Sequence, residues 1–488
     1  MEKKFLPILL MLFVTVVVRA QSIGFTQGPD MTLERMGTQV HVASDGKVYV
    51  FGGHGTGFVR LNTADVYNPL TNSFSLLQLS DYRDASGIIH LSDGRVMLIG
   101  GMSSDLGVGQ LNTTEIINPS TGGVQSSFVM NDSRTMANGV ELTGGGILVM
   151  GNWWGDVPAS RGEYYNGSSV TLTQGTNQNR AFPVMVPCTD GKALIFGGWG
   201  VFGGNFSGKV EIFDPQTNSF TLVRDNLFAD DPDYYVTAVY GDDYQHNRLP
   251  NGKYIFLAKQ LTGNQAKLFT VDPATKEIAY YNLSQPLPPY DSTLQAAYAY
   301  YSPMVDAASG YMFIPQVVYN GAGYNLNVLM ADTRTAPPSL YIPPQPVPFS
   351  YFPMNGARVL MNNFRLLLAG GNISDNFTPV KQTAFIQLTV PTGVDDGEEI
   401  AADYSLEQNY PNPFNPSTGI TFSLPESSVI SLKVYDAAGE LKATLAEGTY
   451  SAGKHFVNFN GENLASGIYF YTLRTEKNTI SKKMSLIK

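Results

Sequence analysis

The chain has 488 residues and a formal charge of −10, with 43% hydrophobic but only 15% charged residues. An acidic chain of isoelectric point near 5.0 lacks the basic surface that phosphate backbones and anionic membranes require, and so much apolar side chain excludes a disordered polymer. The 49 glycines, with 27 Phe and 27 Tyr, indicate a turn-rich β protein of two or three domains.

Residues 1–20 read as a secretory signal peptide. Lys3 and Lys4 precede an apolar run from Phe5 to Val18, and Val18-Arg19-Ala20 before Gln21 offers a small-residue cleavage site. The run is shorter than a membrane span of roughly 20 residues and no later segment approaches that length, so the mature chain is expected to have no membrane span. Cys188 is the only cysteine, which leaves no internal disulfide.

Residues 21–391 are dominated by an internal repeat: a hairpin turn, five residues, then glycine. Ser44-Asp45-Gly46 leads to Gly52-Gly53, Ser92-Asp93-Gly94 to Gly100-Gly101, Gly145 to Gly151, and Thr189-Asp190-Gly191 to Gly197-Gly198. Three weaker units follow, ending at Ala258, Gln316 and Gly370-Gly371. Asn68-Pro69, Asn118-Pro119, Asp214-Pro215 and Asp272-Pro273 mark a second tight reversal within the units, the outer hairpin, with Phe74 and Phe220 packing the outermost strand. A period near 50 residues with four short β segments per unit is what a propeller blade needs, since one blade cannot bury both faces of its sheet alone.

These glycine pairs, aromatics and Asn/Asp-Pro turns resemble the kelch-repeat family, and the resemblance implies a seven-bladed β-propeller. The last unit offers three strands, so the segment from Ser22 to Met31 is expected to supply the outer strand that removes an open edge.

Residues 392–404 form an acidic linker, and residues 405–488 read as a small immunoglobulin-like β-sandwich with turns every 8 to 12 residues. Tyr410-Pro411-Asn412-Pro413-Phe414-Asn415-Pro416, the Val434-Tyr435-Asp436 strand before Gly439, Gly467-Ile468-Tyr469-Phe470 and the basic end at Lys482 and Lys483 resemble the C-terminal sorting domain of the bacterial type IX secretion system. The resemblance implies an export address that engages the secretion machinery and delivers the protein to the outer-membrane surface or the medium.

Chemistry is sought in the propeller. Arg35, Arg83, Arg134 and Arg180 each stand 17 residues before their glycine, which places them equivalently at one mouth of the ring. Such guanidinium groups could clamp an acidic ligand. Asp65, Glu115, Glu163 and Glu211 also recur at one position, and units with the arginine have the acid, so a structural ion pair is favoured.

The same mouth is expected to carry an aromatic, glycine-rich rim of Trp153, Trp154, Trp199, His54, Phe58, Phe202, Phe206, Tyr319, Tyr324 and Phe377, suited to stacking on sugars or side chains. Those rings could equally plug the channel. The opposite face promises little beyond short turns.

An acidic stretch holding Asp230, Asp231, Asp233, Asp242 and Asp243 lacks an EF-hand loop and reads as solvated, so no metal is expected there. Galactose-oxidase-like enzymes also join a kelch propeller to an immunoglobulin-like domain, but His41, His54, His90 and His246 form no Tyr-His pair and Cys188 reads as a small buried thiol. The two opposed carboxylates of a glycosidase cannot be assigned among Asp156, Asp233 and Asp242. The expectation is a secreted binding or adhesion module for a glycan or protein ligand, with no cofactor and no nucleic-acid partner.

Overall fold

A computed structural model of the chain describes residues 23–103, 109–152, 161–198, 208–228, 233–236, 246–260, 263, 265–288, 302–319, 324–342, 347–348, 356–361, 364–373, 378–388, 403–409, 412–426, 428–450 and 453–487. Two compact units divide at Val390 and Pro391. The signal-peptide segment, Asp156, Asp230, Asp231, Asp242 and Asp243 lie outside the described residues.

In the first unit, strands form where the repeat is most apolar. VYVF at Val48–Phe51, VMLI at Val96–Ile99, ILVM at Ile147–Met150 and ALIF at Ala193–Phe196 are buried at every position, the pattern of a strand covered on both faces. Each is the second strand of an antiparallel meander; in the first sheet the order is Gln39–Val42, Val48–Phe51, Thr63–Asn68, Ser73–Gln78. The next five sheets start from inner strands Gly87–His90, Asn138–Glu141, Val184–Pro187, Tyr234–Tyr235 and Met304–Asp306.

The seventh sheet runs Ala357–Met361, Arg365–Ala369, Thr383–Leu388 and then Ile23–Gln27. Ile23 pairs with Leu388 and Gln27 with Ala384, so the N-terminal strand covers the edge that three sequential strands would leave open.

Apolar clusters join each sheet to the next. Phe51 meets Leu98 between the first and second sheets, Ile99 meets Val149, and Leu148 meets Phe213. Around the other side Phe196 packs with Phe256, Leu257 with Met312, and Phe313 with Leu366. Val359 of the seventh sheet packs in one cluster with Val50 of the first, which closes a propeller-like ring.

Turn chemistry fixes the hairpins. The Asn68 side chain accepts from the Leu70 amide at 2.9 Å, and Asn118, Asp214 and Asp272 do the same for Ser120, Gln216 and Ala274. Tyr67 and Phe74 lie 5.2 Å apart across the outer hairpin, and Phe213 and Phe220 5.1 Å.

The second unit is two facing sheets. Ser405–Leu406, Ser417–Leu424 and Gly453–Asn460 form one; Leu441–Tyr450, Ser428–Asp436, Gly467–Thr475 and Thr479–Leu486 form the other. Ile420, Phe422, Leu432, Val434, Tyr471 and Met484 fill the space between them. The Asn-Pro-Phe motif is a clip on the last strand: Phe414 is buried and its amide donates to Ser485 O at 2.9 Å, the Ile487 amide returns a bond to Phe414 O at 3.0 Å, and Asn412 accepts from the Ser485 amide at 2.9 Å.

Candidate functional site

The four repeated arginines are fully buried. Arg35 donates from Nε to Asp65 Oδ2 at 3.0 Å, from Nη2 to the same oxygen at 2.6 Å, and from Nη1 to the carbonyls of Gly52 and Thr63. Arg83 repeats this with Glu115, Gly100 and Thr113; Arg134 with Glu163, Gly151 and Arg161; Arg180 with Glu211, Gly197 and Lys209. The carboxylates turn their remaining capacity on loop amides: Asp65 accepts from Thr32 N, Glu115 from Ser80 N, Glu163 from Asn131 N and Glu211 from Asn177 N. Burial pulls the guanidinium pKa of Arg35, Arg134 and Arg180 down while the facing acids pull it up; the groups stay charged at any biological pH.

The main chain of each arginine faces the other way. Gly53 N donates to Arg83 O, Gly101 N to Arg134 O, Asn152 N to Arg180 O, and Gly371 N to Arg35 O, all between 2.8 and 3.1 Å. One residue therefore ties its side chain into its own sheet and its carbonyl to the sheet before. Gly52 shows why glycine leads the pair: at φ +59°, a Cβ there would meet Arg83 O at 2.1 Å. The ligand-clamp reading of Arg35, Arg83, Arg134 and Arg180 is corrected accordingly, because every guanidinium is engaged inside its own sheet.

His54 also departs from expectation. Its Nδ1 lies 3.0 Å from Asp84 Oδ2, Arg60 Nε lies 3.4 Å from the same oxygen, and all three side chains are at least nine-tenths buried. His54 is thus buried beneath its neighbours and is not a surface residue. Phe58, on a single 3₁₀ turn Thr56–Phe58, stacks on His54 at 4.8 Å and is 53% exposed. The Arg60 guanidinium stands 6.0 Å from the same ring and donates to Phe58 O.

Trp153, Trp154, Trp199, Phe202, Phe206 and Phe377 lie outside the described residues. Tyr319 and Tyr324 are backbone partners at the end of the hairpin of the sixth sheet.

The opposite mouth carries more than turns, contrary to the sequence reading. A cavity of 680 Å³ opens there among the inner strands and first turns of the second to fifth sheets, and His90, Glu141, Asn247, Arg248 and Tyr254 line it. Sequence reasoning passed over Asn247 and Arg248 because neither recurs in the repeat. The His90 Nδ1 stands 3.0 Å from His41 Nδ1, so one ring donates while the other accepts.

A kelch motif matches residues 39–78 and 186–226, the first and fourth sheets, and the secretion system C-terminal sorting domain matches residues 408–488. The chain is a kelch repeat region followed by a type IX C-terminal sorting domain. No curated protein matches it.

Among solved structures it is similar to a fungal alcohol oxidase of the AA5 family in complex with copper, at 13% identity and a TM-score of 0.52, over 96% of this chain and 100% of that one. That likeness concerns the fold. Among the described residues no group of three or more His, Cys, Asp or Glu is placed to hold a metal, His54 turns to Asp84, and Cys188 Sγ is buried 3.7 Å from Val186 O.

Proposed function

We propose that the kelch region is a secreted or surface-held binding module that takes a glycan or protein ligand on its aromatic rim, and that the sorting domain delivers it there through the type IX machinery. The observation supporting the rim is Phe58. The Phe58 ring is half exposed to solvent and stacks on His54, which is buried against Asp84 with Arg60 on the same carboxylate. Preorganised flat apolar surface is what stacking on a sugar ring or a side chain requires.

A glycan array and a surface-protein overlay, each probed with the full chain and with Phe58→Ala, test this. Loss of a stacking ring should weaken retention about thirtyfold, on the order of 2 kcal/mol, while the loss of stability stays smaller than that because the ring is already half exposed. Equal retention by both proteins removes the rim from consideration. Hydrogen-peroxide release after incubation with copper would favour an oxidase instead. Deleting residues 405–488 should leave the protein in the periplasm of its native host; surface delivery of the truncated chain would contradict the export role.

A further inference from the structure

The cavity at the hairpin mouth holds two charged groups that the fold does not neutralise. Glu141, the last residue of the inner strand of the third sheet, accepts from the Ser92 amide at 2.6 Å through Oε2 and makes no ion pair among the described residues. Arg95, whose field reaches Glu141, is bonded to Asp93 at 2.7 Å. Across the same cavity Arg248 donates from Nε to Gly252 O at 3.3 Å and lays its guanidinium 5.6 Å from the Tyr254 ring centroid, and it too makes no ion pair among the described residues.

Beside Arg248, Asn247 is 1% exposed. Its Nδ2 donates to Ile255 O at 2.9 Å, which fixes the amide orientation, and its buried Oδ1 has no hydrogen-bond partner. That oxygen is closed to solvent in this arrangement, so Asn247 supports the wall of the cavity beside Arg248.

We propose that this cavity is a second binding site, separate from the aromatic rim, for a small zwitterion of the amino-acid or short-peptide class. The ligand carboxylate takes the two Nη groups of Arg248, and the ammonium takes Glu141. Charge matching selects this class. A purely anionic ligand would pair with Arg248 but strip water from Glu141 without neutralising it, and a cation would do the reverse to Arg248; only a ligand bearing both charges compensates both. A volume of 680 Å³ lies in the range of small-molecule sites, and three residues span at most about 10 Å.

Calorimetric titration of the full chain with glycine, triglycine, N-acetyltriglycine and triglycinamide tests the assignment. Glycine or triglycine should bind, and capping either end of triglycine should weaken it about tenfold or more. Arg248→Ala should abolish the penalty for amidation while keeping that for acetylation; Glu141→Gln should do the opposite. Both variants preserve the fold, since Arg248 is exposed and glutamine still accepts from Ser92 N. The proposal is overturned if neither zwitterion binds at about 10 mM, where a millimolar site would be nine-tenths filled, or if capped and free peptides bind alike. It is equally overturned if either variant weakens all four probes by one common factor. Phe58→Ala should change none of these titrations, which separates failure here from failure at the rim.

Discussion

In the first four sheets a guanidinium is sealed against a carboxylate, as Arg83 is against Glu115 at 2.5 Å with both side chains buried. In the last three no arginine is sealed in that way among the described residues, and cations lie over aromatic rings: Lys267 3.9 Å from the Tyr234 centroid, Arg365 3.5 Å from Phe385, and Arg334, half-exposed and also paired with Asp332 at 2.8 Å, 4.7 Å from Tyr311. Sheet-to-sheet packing in this second half is correspondingly aromatic, with Phe196, Phe256 and Phe269 in contact and Phe364 against Phe313. The two halves differ in what they demand of the sequence. A buried ion pair needs both partners, each at a fixed register, whereas ring packing accepts many residues in many places.

The sharpest way to break that comparison is to remove one cation from each half. Arg134→Ala leaves Glu163 buried without its counter-charge and should destabilise the protein by about 3–5 kcal/mol in denaturant unfolding. Replacing both partners with apolar residues, as in Arg134→Met with Glu163→Leu, removes the unpaired charge but leaves Gly151 O, Arg161 O and the Asn131 amide without these partners, so it should recover only part of the loss. Arg365→Ala should cost only about 1 kcal/mol, the scale of a cation–π contact. Equal losses at Arg134 and Arg365 would show that burial of the pair is not what separates the halves.

Glycine offers the second test, through two positions with similar backbone and different surroundings. Gly52 at φ +59° and Gly94 at φ +83° both sit where an L side chain is strained, but a Cβ on Gly52 would run into the Arg83 carbonyl while one on Gly94 meets nothing within 4 Å. Gly94→Ala should therefore cost about 1 kcal/mol and Gly52→Ala about 2–4 kcal/mol, the excess being the broken tie between the first and second sheets. If both cost the same, the glycine pair serves backbone conformation alone.

Legibility follows the same division. Arg35 and Asp65 could be matched by counting because each keeps a constant distance to a landmark of its own repeat, the arginine 17 residues before its glycine and the acid three before the Asn or Asp of the outer turn, and the edge taken by Ile23–Gln27 followed from a missing strand. The sorting motif was legible because Phe414 and Asn412 grip the final strand through particular atoms. The cavity was not legible: Glu141 sits in an inner strand of the third sheet and Arg248 before the second strand of the fifth, and only closure of the ring brings them to one space. His54 was misread for a related reason. Its partner Asp84 comes from the adjacent repeat, at a position that carries no repeated acid.

The smallest expected effect lies at the seam between the halves. Cys188 directly follows the inner strand of the fourth sheet, Val184–Pro187, yet packs in the cluster that Phe256 and Phe269 of the fifth sheet complete, so its thiol reports whether the last ion-paired sheet parts from the first aromatic one. Burial pushes this thiol up to about 11 from an ordinary value near 9, so at pH 8 the native thiolate fraction is on the order of one in a thousand and alkylation must follow opening. Because the folded pKa is raised, the contribution to stability is fully present below about pH 9 and is lost as pH rises through 11. A reference thiol is available at Ala137, buried between the second and third sheets, where Ala137→Cys in a Cys188→Ala background places the probe beyond the reach of the seam. If ion-paired sheets hold together more tightly than aromatic ones, Cys188 should be alkylated about tenfold faster than the introduced cysteine in mild denaturant, a difference of about 1.4 kcal/mol in opening free energy. Equal rates would mean that the ring opens as one cooperative unit and that the chemical contrast between its halves has no counterpart in local stability.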